Sequence, residues 1–79
     1  MFTHHAIKQI NERNIPADII LKTLKSPDEI LPDINYPQTR VVYQRIFGRK
    51  LVRVFTEDNL VIAVYMTNNI DKYFKRGKP

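Results

Sequence analysis

The stretch Arg40–Thr67, RVVYQRIFGRKLVRVFTEDNLVIAVYMT, decides the fold. Three runs in it, Arg40–Phe47, Lys50–Thr56 and Leu60–Thr67, are rich in β-branched and aromatic residues that suit a pleated, half-buried surface. Gly48-Arg49 and Asp58-Asn59 separate them and are residue types that accept turn conformations. The spacing predicts a three-stranded antiparallel meander. Side chains alternate between faces along a strand, so Tyr43 and Arg45 share one face. The position of Arg53 depends on the first loop. A two-residue loop pairs Phe47 with Lys50 and puts Arg53 on the other face, beside Gln44. A three-residue loop pairs Phe47 with Leu51 and brings Arg45 opposite Arg53. The pattern leaves both registers open.

Upstream, residues 27–39 carry Pro27, Pro32 and Pro37, and Glu29–Ile34 reads as a short edge strand, where Pro32 is tolerated. Before that lie two helical stretches. Thr3 is a suitable N-cap for a helix over about residues 4–13, with Phe2, Ala6, Ile7 and Ile10 on its core-facing arc. His5, Gln9 and Arg13 form a stripe along the edge of that arc. Asn14-Ile15-Pro16 ends this helix, and Pro16 suits the first position of the next. The second helix is expected to run to about Lys25 and to bury Ile19, Ile20 and Leu24; Lys22 and Lys25 lie near its C-terminus, where the helix dipole favours cations. Downstream, the basic tail of about residues 69–79 starts as a short helix near Asp71–Phe74. The expected fold is α+β, a single domain over 1–79, with two N-terminal helices packed on a three- to four-stranded antiparallel meander sheet.

Composition narrows the function classes. A 79-residue chain without cysteine has one modest core and no disulfide or Cys-based metal site. No apolar run reaches the length of a membrane span, and MFTHHAIKQ lacks the basic-then-apolar pattern of a signal peptide, so a cytoplasmic location is expected. The net charge of +5 is uneven: residues 1–39 hold four Lys/Arg and five Asp/Glu, residues 40–79 nine and three. A basic half suits RNA or an acidic protein; an unpartnered solvated surface is the plainer alternative.

Few residues invite chemistry. His4 and His5 point about 100° apart on a helix and cannot chelate one ion together, so neither metal nor cofactor is expected. His5, at the core's edge, has the side chain best suited to trade protons near neutral pH. Its plainer role is a hydrogen bond to a nearby carbonyl. Arg40, Arg45 and Arg53 interleave with Tyr43 and Phe55 on the strands. A guanidinium fork fits phosphate oxygens, and tyrosines beside it stack bases. Such arginines also serve as ordinary sheet-surface residues with their stems on apolar neighbours. There is no Gly-rich phosphate loop, since glycine occurs only at 48 and 77.

The segment His5–Ile15, HAIKQINERNI, resembles the opening helix of a family of small prokaryotic domains of unknown function with the pattern His-Ala, two residues, Arg-Met, two residues, Arg-x-Ile. Val42-Tyr43, Leu51–Val54 and Val64-Tyr65 look like the sheet of that family, and the resemblance spans about residues 3–67. The family is similar in fold to RelE-like and BrnT-like toxins. The resemblance therefore implies a RelE-like fold, RNA cleavage and an antitoxin partner, with His5, Arg13 and Arg53 as the site's polar residues. Gln9 departs from the pattern, where the family has Arg.

Two functions follow as expectations. In the first, the protein is a RelE-like toxin that binds RNA or the ribosome, or a metal-independent endoribonuclease. His5, Arg13 and Arg53 act at the scissile phosphate, Arg45 with Tyr43 and Tyr65 holds the RNA, and an acidic antitoxin covers the basic face. In the second, a non-catalytic interaction module uses the same face to bind an acidic protein. A homo-oligomer built through an open sheet edge is the third possibility.

Overall fold

A computed structural model describes residues 1–75. Two helices, α1 (His4–Arg13) and α2 (Ala17–Lys25), precede the strands β1 (Glu29–Pro32), β2 (Arg40–Phe47), β3 (Lys50–Glu57) and β4 (Leu60–Thr67), and a short helix α3 (Ile70–Tyr73) follows. The fold is α+β, and the sheet is antiparallel throughout in the order β1-β2-β3-β4. The edge strand stops at Pro32 rather than Ile34, and α3 begins one residue earlier than expected. Arg76 and Lys78 of the expected basic tail lie outside the described residues.

Local chemistry sets the element ends. The Thr3 hydroxyl oxygen accepts the Ala6 N–H at 3.2 Å, and Asn14 closes α1 in the left-handed region at φ 52°. Pro16 sits one position earlier than expected, as the extended residue capping α2. The β2–β3 loop has two residues and pairs Phe47 with Lys50. Gly48 takes φ 63° there, and glycine supplies that backbone without a Cβ penalty. Asp58 and Asn59, both at positive φ, make the β3–β4 turn.

The helices cover one face of the sheet. Ala6, Ile15 and Ile20 pack there against Val52, Val54, Val61 and Val64, with Tyr43, Phe47 and Met66 partly buried alongside. Val61 and Val64 are three residues apart, yet both reach this core. The β3–β4 ladder goes from Phe55↔Ala63 to Thr56↔Val61, so Ile62 is an extra residue that resets the alternation. Ile7, expected in the core, is 47% exposed, whereas Thr23 on α2 is buried with its hydroxyl donating to the Ile19 carbonyl.

The N-terminal segment closes the outer edge of β4. Val61 donates to the Met1 carbonyl at 2.8 Å and accepts from Thr3 N–H at 2.9 Å. One step along, Val64 N–H donates to Gln9 Oε1 at 2.9 Å, and Arg13 Nη1 donates to the Val64 carbonyl at 2.8 Å. Gln9 and Arg13, one turn apart on α1, thus stand in for a neighbouring strand. This role explains why an amide serves at position 9: a guanidinium has no acceptor to offer the Val64 N–H. The Gln9→Ala/Arg13→Ala double variant is expected to lose about 1–3 kcal/mol, at roughly 1 kcal/mol per hydrogen bond. It should also self-associate more, because an edge is uncovered. Urea titration and size-exclusion chromatography check this; unchanged behaviour in both would refute the edge-capping role.

Candidate anion-binding site

The register aligns four polar residues in one row across the sheet, on the face opposite α1 and α2. Glu29 lies opposite Gln44, Gln44 opposite Arg53, and Arg53 opposite Tyr65. One flanking row, Leu31, Val42, Phe55 and Ala63, is apolar. On the other side lie Ile46, Leu51 and Thr67.

Each member of the polar row bonds to the next. Gln44 Nε2 donates to Glu29 Oε1 at 2.6 Å, Arg53 Nε donates to Gln44 Oε1 at 2.8 Å, and Arg53 Nη1 donates to the Tyr65 hydroxyl at 2.6 Å. The Gln44 amide has one orientation that satisfies both neighbours, with NH₂ toward the carboxylate and oxygen toward the guanidinium. The C-terminal segment closes the row from above: Gln44 Nε2 also donates to the Tyr73 carbonyl at 3.1 Å, and the Lys75 N–H donates to both Glu29 oxygens at 2.9 and 3.2 Å.

Arg53 is the unusual member. It is 8% exposed, and among the described residues it forms no ion pair; the one ion pair there joins Arg40 to Glu57 at 2.7 Å. Removing a cation from water without an opposing charge is costly. Three rings offset part of that cost, with centroids 4.3 Å (Tyr73), 5.1 Å (Phe55) and 5.6 Å (Tyr65) from the guanidinium carbon. Its two hydrogen bonds use Nε and Nη1, leaving Nη2 without a protein acceptor among the described residues.

Two clefts meet at Arg53. One, of about 230 Å³, is walled by Leu31, Pro32, Ile34, Lys72, Tyr73 and Lys75. The other, of about 250 Å³, is walled by Asp33, Ile34, Asn35, Phe55, Tyr65 and Tyr73. The phenols between them differ. The nearby Tyr65 hydroxyl, aided by Lys72, holds the Tyr73 hydroxyl below the usual phenol range. Burial pushes Tyr65 above that range, against the opposing pull of Arg53.

The residues expected to form a site separate into four places. Arg53 and Tyr65 meet in the polar row. Tyr43 and Arg45 project from the helix-covered face, because the two-residue loop sets Arg45 opposite Val52. Tyr43 packs against the core, and Arg45 Nη1 donates to the Ser26 carbonyl at the end of α2, while its buried Nε has no partner among the described residues. Arg13 is engaged at the β4 edge. His5 is exposed on α1, and neither it nor Arg13 is among the partners of Arg53. The expected convergence of His5, Arg13 and Arg53 does not occur, since α1 packs on the face from which Arg53 points away. Glu29, Gln44, Asp33 and Tyr73 were not singled out as site residues by sequence; the sole hint was that a two-residue loop places Arg53 beside Gln44.

These features define a small α+β domain with a buried guanidinium open to two clefts. The chain belongs to the family described as Domain of unknown function (DUF4258), whose model matches residues 2–66. That span contains Glu29, Gln44, Arg53 and Tyr65 but ends before Lys72, Tyr73 and Lys75. No curated protein and no solved structure matches the chain. Among the described residues no helix is long and apolar enough to cross a membrane.

Proposed function

We propose that this protein is an RNA-binding domain of the RelE-like toxin type that holds a single strand on the sheet face opposite its helices. One observation carries the reading: Arg53, buried and with neither an ion pair nor an acceptor for Nη2 among the described residues, lines two clefts. A guanidinium in that state attracts a phosphate oxygen, because the ligand supplies the charge the protein withholds. Lys72 and Lys75 at the rim add positive potential, and the rings of Phe55, Tyr65 and Tyr73 offer surfaces for bases. Binding rather than cleavage is the supported part. In-line attack on the phosphodiester needs a proton acceptor within reach of the phosphate, and His5 is not among the groups around Arg53.

An acidic protein is the second reading. Ile34, 84% exposed, and Leu31 give the basic cleft an apolar wall that suits peptide side chains. An acidic antitoxin docked there would compete with RNA for Arg53.

Fluorescence anisotropy with a labelled single-stranded RNA tests the proposal. Affinity is expected to fall steeply as salt rises. Arg53→Gln should weaken binding by about 10–100-fold, the worth of one charge-assisted hydrogen bond at about 1.5–3 kcal/mol. The exposed pair Lys72→Ala/Lys75→Ala should weaken it without loss of fold, and His5→Ala should bind like the parent chain. Absence of binding at low salt, or full affinity in a folded Arg53→Gln protein, would overturn it.

A further inference from the structure

The two clefts at Arg53 have different chemistry. The first gathers cations, with Lys72 and Lys75 beside Arg53. The second is aromatic and contains one acid, Asp33. Asp33 is 7% exposed; its Oδ1 accepts the Asn35 N–H at 2.8 Å, and Oδ2 takes no hydrogen bond among the described residues. Arg40, the cation whose field it feels, is itself held by Glu57 at 2.7 Å and stacked on Tyr36. A largely buried carboxylate whose Oδ2 is still reached by solvent, in the wall of an aromatic slot, suits a flat ligand that donates hydrogen bonds. The adjoining basic cleft calls for an anion on the same molecule.

We propose that this site takes a guanine nucleotide. The base occupies the aromatic cleft against Phe55 and Tyr65 and donates N1–H and N2–H to Asp33. The phosphate lies across Arg53 toward Lys72 and Lys75. Guanine is singled out because its Watson–Crick edge offers two adjacent donors, which match the two oxygens of a carboxylate. Uracil offers one N–H between two carbonyls that repel the acid. Adenine and cytosine set a single amino group beside a ring acceptor. The clefts share Ile34, Arg53 and Tyr73 as walls, so a ligand that spans both passes over Arg53, and their volumes, about 230 and 250 Å³, each lie just below the size of small-ligand sites, about 300–1,000 Å³. The same chemistry serves a free nucleotide or a guanosine within a strand. The assignment rests on the reading of Arg53 as a phosphate ligand.

Calorimetric titration of the full chain with GMP, AMP, CMP and UMP is the test, alongside single-stranded oligonucleotides with one guanine or none. GMP is expected to bind at least about tenfold more tightly than the other three, since a site built for donors loses roughly 1.4 kcal/mol or more when they are missing. Inosine monophosphate lacks only the 2-amino group and should fall several-fold below GMP with the protein unchanged. Asp33→Asn should erase the preference, whereas Lys72→Ala/Lys75→Ala should weaken all four nucleotides alike. GMP binding with a similar affinity for the guanine oligonucleotide identifies a free nucleotide as sufficient; oligonucleotide binding alone places the guanine within RNA. Equal affinity for all four bases, or equal affinity for inosine and guanosine monophosphates, sinks the guanine assignment while Arg53-dependent RNA binding stands. Loss of Arg53-dependent binding to every probe sinks both.

Discussion

Replacing Gln44 with leucine is expected to bring this domain close to unfolding. Gln44 is fully buried and is the link between Glu29 and Arg53. Leucine fills a similar volume, so the loss is of hydrogen bonding rather than packing. It strips a partner from a carboxylate, a guanidinium and the Tyr73 carbonyl. Each buried group left unsatisfied costs about 1–3 kcal/mol, and charged ones more, so a total of about 3–6 kcal/mol is expected. At about 0.05–0.15 kcal/mol per residue, the whole domain holds roughly 4–12 kcal/mol. Urea denaturation followed by circular dichroism measures the change. A loss under about 1 kcal/mol would mean that water reaches the row freely, and the case for Arg53 as a desolvated cation would go with it.

The second large effect is expected from Leu51→Ala. Leu51 is 0% exposed, yet it projects from the face opposite the helices, across from Ile46 and Thr67. A bare sheet face would make this change nearly neutral. A covered one imposes the cost of a core cavity, about 2–5 kcal/mol for leucine to alanine. Leu60, 42% exposed, is the internal control, and Leu60→Ala should stay within about 1 kcal/mol of the parent, as surface changes usually do. Equal, small effects at both positions would show that the second face has no buried layer and that the polar row is a surface feature.

The separation of the expected site residues bears on mechanism as well as on fold. Three arginines looked equivalent on the strands, but the structure gives each a different task. Arg40 pairs with Glu57, and its guanidinium is held further toward the charged form by that hydrogen bond. Arg45 fastens β2 to the end of α2. Among the described residues, Arg53 is the arginine that combines burial, no ion pair and a place in a cleft wall. A basic charge count cannot distinguish these tasks, because the partner of each guanidinium is selected by register and by loops far away in the chain.

Much of the architecture was written in local patterns. The bounds of β2 and β4 follow from β-branched and aromatic runs, and the turns fall where Gly48, Asp58 and Asn59 accept positive φ. The Thr3 cap and the break at Asn14-Ile15-Pro16 delimit α1 just as directly. These features are local, settled by backbone sterics and by hydrogen bonds within a few residues. The polar row, the covered second face and the edge cap are not. They depend on contacts such as Gln9 with Val64, Glu29 with Lys75 and Gln44 with Tyr73, made between residues far apart in the chain. Alternation along a strand tells which side chains share a face, but a glutamine or arginine in such a run reads as solvent-facing until a distant segment folds over it. For that reason the amino-acid pattern determined the helix-and-meander frame of this protein, and only the tertiary structure decided which of its charges were taken out of water.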